Sequence, residues 1–226
     1  MELADKLMEE LENRTAFTIP IFGGIPVPES CVMTWFIMAV LVIASIILVK
    51  KMKTIPKGSQ CLLEIGINWI NNFFIGILGP KGKKYVPLLG TLLIYIGVSN
   101  VIGLFGLRPP TKDFNVTVSL AAISIVLIQV SSIKEKGVGG WLKGFKEPMG
   151  LMLPMNILEL IIKPLSLCMR LFGNVLGAFV IMELIKLVVP VGVPLIFSFY
   201  FDVFDGLIQA YVFVFLTSLF MAESME

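Results

Sequence analysis

Seven ionisable side chains interrupt the otherwise apolar stretch from Pro148 to Ala222: Glu159, Lys163, Arg170, Glu183, Lys186, Asp202 and Asp205. An ionisable group inside a bilayer costs about 2.5–3.5 kcal/mol on insertion scales, so each is a functional candidate. Arg170 is the sharpest case. On a helix it stands about 10 Å from Lys163 and about 20 Å from Glu183, too deep to snorkel easily to either interface. Its same-face neighbours are Ser166, Leu167, Gly173 and Asn174, and none is a carboxylate. A guanidinium stays charged at any relevant pH. Its counter-charge must come from another helix, where Asp202 and Asp205 are candidates, or from another protein.

Asp202, Asp205 and Gln209 recur at i, i+3 and i+7, one face of a helix. Aligned polar groups in an apolar helix suit a hydrated path or an ion relay. A capped or interface-exposed helix start is the plainer alternative. Glu159 and Lys163 are spaced for an intrahelical ion pair, and Glu183 and Lys186 fall near a helix end, within reach of water. Gly173 and Gly177 form a G-x-x-x-G step that admits a second helix at close range.

Other chemistries are excluded. The chain has no histidine, so it carries no Ser-His-Asp or Cys-His nucleophile, histidine metal ligand or histidine relay. Cys31, Cys61 and Cys168 form no C-x-x-C pair and read as buried free thiols in apolar runs. The run from Gly79 to Lys84 lacks the Gly-Lys-Ser/Thr end of a phosphate loop and reads as a basic turn. A net charge of +2, with no basic stripe interleaved by aromatics, gives no sign of nucleic acid as a partner. No cofactor and no firm metal site are expected.

The elements that position these residues belong to a membrane. The chain has 226 residues, 57% hydrophobic and 15% charged, and a soluble fold of that size cannot bury so much apolar surface. Charge-free runs cover 31–49, 85–107 and 114–133. Eleven basic residues fall in 50–84 and 134–147, against two in 108–113 and two before residue 30. By the positive-inside rule the N-terminus is outside and 50–84 is cytoplasmic. Residues 61–79 should not cross, because the lysine clusters flanking them would then face opposite compartments. Glu64, Asn68, Asn71 and Asn72 form one stripe opposite Leu62, Ile65, Trp69, Phe73 and Ile77, as in a helix lying in the interface or packed on neighbours. Beyond Pro148, the break at 190–194 implies two long, tilted helices, about 150–187 and 195–222, with the C-terminus cytoplasmic. The expectation is an all-α integral membrane protein: an acidic external segment (1–30), first spans with an amphipathic helix and loops (31–147), and a helical hairpin (148–226). About five membrane helices are predicted besides the amphipathic one.

Residues Lys163 to Asn174 read KPLSLCMRLFGN. This resembles the K-P-x-S-L-x-x-R-L-F-G-N signature of subunit a of F-type ATP synthases. Gln209 to Phe213 (QAYVF) resembles that family's Q-A-[FY]-[IV]-F motif, and Arg108 to Thr117 resembles its short outer loop. The likeness covers roughly residues 15–222. It implies a bacterial plasma-membrane stator subunit, with no bond chemistry of its own, whose hairpin lies against a rotor ring of c subunits. Subunit b and the remaining ATP synthase subunits are the other implied partners. Two half-channels would pass H+ or Na+ to and from the ring carboxylates. Arg170 would be the essential arginine, with Asn174 and Gln209 as its polar neighbours. Asp202 and Asp205 would be the outer access path, and a transient Na+ path if sodium is the coupling ion. Glu159 would be the cytoplasmic exit, though Asn156 occupies an alternative place for that acid. Phe179 departs from members that carry a carboxylate nine residues after the arginine. The competing reading is an autonomous secondary transporter with a midplane anion site at Arg170. A membrane-embedded enzyme is the least favoured.

Overall fold

The computed structural model describes residues 15–19, 25–50, 52, 58–144, 153–188 and 192–225. Six helices among them are long and apolar enough to cross a membrane, and the protein is an all-α, multi-pass membrane protein. The helices are α1 (Glu29–Val49), α2 (Ser59–Leu78), α3 (Val86–Val101), α4 (Phe114–Gly144), α5 (Leu153–Val188), a short α6 (Val193–Ser198) and α7 (Gly206–Met225). The acids at 2–12 and residues 190–191 of the predicted break lie outside the described residues.

One element was not foreseen. Thr15–Ile19 (β1) and Ile25–Pro28 (β2) pair antiparallel, with Phe17 opposite Val27. Pro26 and Pro28 read as a stiff approach to α1, but proline is tolerated on the edge of a two-stranded ribbon. From there α1 turns most of its surface outward, with Ile37 its one buried residue. It is tied in near its N-terminal end: Ser30 donates to the Asp113 carboxylate, and the Tyr95 hydroxyl donates to Thr34 across 3.3 Å. Asp113 caps α4 by accepting the Asn115 backbone N–H at 2.9 Å.

α7 sits at the centre. Its Phe213, Val214 and Met221 share one core with Phe74 and Leu78 of α2, Leu89 and Ile96 of α3, Leu120 and Leu127 of α4, and Leu167 and Leu171 of α5. Hydrophobicity alone discriminates poorly between a neighbouring helix and lipid, so small and hydroxyl-bearing residues do much of the joining. Thr217 donates to Ser124 at 3.4 Å, and Ser132 donates to the Ser224 carbonyl at 2.9 Å. Cys168 faces Thr117 at 3.7 Å and is buried as expected; Cys61 instead is exposed on α2 and Cys31 only partly covered. The apolar runs around those two cysteines face outward, where lipid can cover them.

α2 packs through one half only. Phe74 and Leu78 are buried, and Phe73 meets Tyr211 of α7 with ring centroids 5.3 Å apart. Leu62, Ile65 and Trp69 remain exposed. In α4, Gly137 takes φ +71°, a left-handed conformation that breaks the helix. Trp141 Nε1 then reaches Gln129 Oε1 at 2.8 Å, although twelve residues of straight helix span about 18 Å. The chain therefore doubles back just beyond the predicted span.

α7 approaches α3 closely at Gly206. A Cβ on Gly206 would lie 2.9 Å from the Asn100 Cβ. Neither atom is the end of a flexible chain, so a backbone must shift. Gly206→Ala is expected to cost about 1–3 kcal/mol through overpacking. Thermal unfolding of the purified complex in detergent checks this, and an unchanged midpoint would contradict the close approach.

Candidate functional site

Two hydrogen-bonded contacts define the hairpin of α5 and α7. Asn174 Nδ2 donates to Gln209 Oε1 at 2.6 Å, and Lys163 Nζ reaches Glu223 Oε2 at 3.0 Å. Moving back along α5 moves forward along α7, so the helices run antiparallel. Arg170 lies one turn from Asn174, between the two contacts.

The Arg170 side chain is exposed, so the chain leaves it uncovered. Among the described residues it has no ion-pair or hydrogen-bond partner. The intramolecular pair with Asp202 or Asp205 is thus not formed. Its neighbours explain the opening. A Cβ on Gly173 or on Gly177 would meet no heavy atom within 4 Å. Among the described residues, no helix packs against the G-x-x-x-G step. Arg170, Gly173, Asn174 and Gly177 share one helical face, which is open at Arg170 and the two glycines and meets α7 only through Asn174 among the described residues.

Towards the hairpin turn lies a cavity of about 660 Å³. It gathers four of the predicted residues, Asn174, Gln209, Asp202 and Asp205, together with Arg108 and Lys112 of the 108–113 loop. The stretch Phe199–Asp205 is a π-helix. Such wide turns are rare and occur often at functional sites. The i, i+3, i+7 alignment assumed α geometry throughout, yet all three side chains still line this one cavity.

Asp202 is held in place: the Ser198 hydroxyl donates to Oδ2 at 2.6 Å, and Oδ1 would stand 3.0 Å from a Cβ on Gly103. Asp205 has no hydrogen-bond partner among the described residues. Gln209 is 3% exposed, and its Nε2 finds no acceptor. A buried amide N–H left unpaired costs about 1–3 kcal/mol, which an acceptor arriving in the cavity would recover. No group of three or more His, Cys, Asp or Glu side chains gathers among the described residues. Asp202 and Asp205 line the cavity beside the Ser198 hydroxyl and the Asn174 and Gln209 side-chain amides, groups whose oxygens can solvate a small cation.

Glu159 lies elsewhere, near the opposite end of α5. Lys163 contacts it at 3.3 Å and Glu223 at 3.0 Å. The intrahelical pair read from the sequence is present and extended to α7. The side chains of Glu183 and Lys186 lie outside those described.

Several contributors were missed. Asn100 is buried on α3, donates to the Gly206 carbonyl at 2.9 Å and accepts from Thr111 at 2.8 Å. It ties α3, the 108–113 loop and α7 together at the cavity wall. Its signal was available: an amide inside the uncharged run 85–107 is itself a polar group placed in oil. Ser198 and Gly103 gave no such signal, because their roles arise only from contact with Asp202.

A family described as ATP synthase A chain matches residues 31–222. The chain is 34% identical to ATP synthase subunit a of Moorella thermoacetica, over 89% of this chain and 92% of that one. It is 35% identical to ATP synthase subunit a of Geobacter sulfurreducens, over 85% and 86%. It is also 32% identical to the sodium-ion-specific ATP synthase subunit a of Propionigenium modestum, over 89% and 75%.

Proposed function

The chain belongs to the ATP synthase A chain family, and from that premise we propose that it is the stator ion-channel subunit of an F-type ATP synthase. It performs no bond chemistry itself. Its hairpin, residues 148–226, faces a ring of rotor c subunits, and subunit b of the peripheral stalk holds it against rotation. A cation, H+ or Na+, enters from outside through the cavity and passes Asp202 and Asp205. It then neutralises a ring carboxylate, rides round with the ring, and leaves on the cytoplasmic side past Glu159.

The observation that carries this reading is Arg170: a permanent charge on an uncovered face, unpaired among the described residues and flanked by bare glycines. A lone cation in an apolar helix is costly. A partner bringing a carboxylate to that face removes the cost, and the glycines let its helix come close. Each deprotonated ring carboxylate is drawn to Arg170. A still-loaded one is not, so the guanidinium also separates the outer and cytoplasmic paths.

The outer side is assigned from charge. The loop 108–113 and the turn near Gly192 border the cavity, and the lysine-rich segments lie at the other end of the spans. On this reading the N-terminus is outside and α2 lies on the cytoplasmic side, in the bacterial plasma membrane that the family resemblance implies. The sodium-specific relative and the oxygen ligands of Asp202 and Asp205 make Na+ as admissible as H+.

Reconstitution tests the reading. Liposomes holding this chain alone are expected to pass no ions under an imposed gradient, whereas chain, ring and subunit b together conduct. Substrate-coupled flux by the chain alone would restore the secondary transporter.

A further inference from the structure

A short helical turn, Lys81–Tyr85, leads into α3. In that turn Lys84 Nζ meets Glu135 Oε1 of α4 at 2.6 Å, a contact between segments 51 residues apart. The contact gathers exposed lysines from both segments: Lys81, Lys83 and Lys84 from the turn, Lys134 and Lys136 from α4. Five lysines against one glutamate leave a net charge of +4 over residues 81–85 and 134–136. Lys83, Lys134 and Lys136 have no ion-pair or hydrogen-bond partner among the described residues. The Lys84 ammonium lies 5.2 Å from the centre of the Tyr85 ring, and the buried Tyr85 hydroxyl finds no acceptor for its proton. The helices that rise from this patch turn apolar side chains outward: Leu88 and Ile94 on α3, Val126 and Val130 on α4. Leu88 stands four residues past Lys84, and Lys134 four past Val130, so each exposed strip ends in a lysine.

We infer that this patch is a docking site for the headgroup of an anionic phospholipid, whose acyl chains lie along the exposed strips of α3 and α4. A phosphodiester brings a negative charge for the unpaired lysines and acceptor oxygens for donors such as the Tyr85 hydroxyl. Basic clusters at the ends of membrane helices take such headgroups, and each lysine near an anionic lipid surface strengthens the attraction about fivefold. An acidic peptide would meet the charge and leave the apolar strips bare, whereas a phospholipid meets both. Sixteen residues, about 24 Å of helix rise, separate Lys84 from Asn100 at the cavity wall. The site is thus distinct from the cavity and does not depend on its role.

The test uses the complete ATP synthase in phosphatidylcholine nanodiscs at low salt. These are doped with phosphatidylglycerol carrying a photoactivatable tail or, in parallel, with phosphatidylcholine carrying the same tail, and labelled peptides are read by mass spectrometry. Phosphatidylglycerol is expected to label residues 87–94 and 123–130 about fivefold or more above phosphatidylcholine, and the preference shrinks as ionic strength rises. Lys83→Gln with Lys134→Gln and Lys136→Gln brings the two lipids to equal labelling. Lys83→Arg with Lys134→Arg and Lys136→Arg keeps the preference, because it keeps the charge. Excess inorganic phosphate leaves the preference in place, since free phosphate has no acyl chains to bury. Equal labelling by the two lipids in the wild-type complex overturns the inference without recourse to any variant. A preference that survives the triple glutamine change also overturns it, as does displacement by inorganic phosphate. A preference that appears only after the other subunits are stripped away assigns the patch to an acidic protein partner and likewise overturns it.

Discussion

Arg170→Ala abolishes ATP synthesis driven by an ion gradient, while the complex still assembles. The first half follows from electrostatics. A guanidinium is charged throughout the working pH range. At about 4 Å and an effective dielectric of about 20, it attracts a carboxylate by about 4 kcal/mol. Alanine removes that attraction and leaves the arriving ring carboxylate uncompensated in oil. Each 1.4 kcal/mol is a factor of about ten, so the loss is expected to reach about 10²–10³ in rate. The same change opens a direct leak between the two paths, which dissipates the gradient. The second half follows from packing. Arg170 is exposed and bonds to no described residue, so its removal empties no part of the core. Synthesis rates in reconstituted vesicles, with assembly followed on native gels, check both halves. Wild-type synthesis by the variant would refute the role.

The second large effect is expected from Asp202→Asn combined with Asp205→Asn. Asparagine keeps the shape and gives up the charge that attracts a cation. Asp202 is held by Ser198 in the space that Gly103 leaves open, whereas Asp205 makes no described hydrogen bond. Either acid alone can partly serve, so the double variant has the larger effect: flux from the outer side falls about tenfold or more, corresponding to about 1.4 kcal/mol or more. Flux from the cytoplasmic side into an empty ring falls less. Unchanged flux in both directions would remove these residues from the path.

Much of this was legible in one dimension. Lysine clusters bounding charge-free runs marked the helices, because charge is expelled from the bilayer core wherever it has no function. Arg170 stood out for the same reason. What escaped notice depends on contacts between distant segments. The G-x-x-x-G step has the form of an ordinary packing motif, yet no described helix packs against Gly173 and Gly177. Nothing local distinguishes a glycine that packs from one kept bare. Asn100 was passed over because uncharged amides blend into an apolar run, although it joins Thr111 to the Gly206 carbonyl. The π turn at Phe199–Asp205 was read as α-helix, since apolar aromatics fit either geometry. The β-hairpin at 15–28 was hidden by its prolines, which an exposed edge accepts. The candidate site was therefore legible as a set of residues. Its division into an open arginine face and a separate acidic cavity was not.

A density map of the intact complex in the membrane tests the central claim most directly, through the surroundings of the Arg170 guanidinium. The account predicts that this group faces the rotor, with a ring carboxylate as its nearest acid and the ring helix seated over Gly173 and Gly177. A guanidinium turned away from the rotor and paired with Asp202 or Asp205 of its own chain would contradict it.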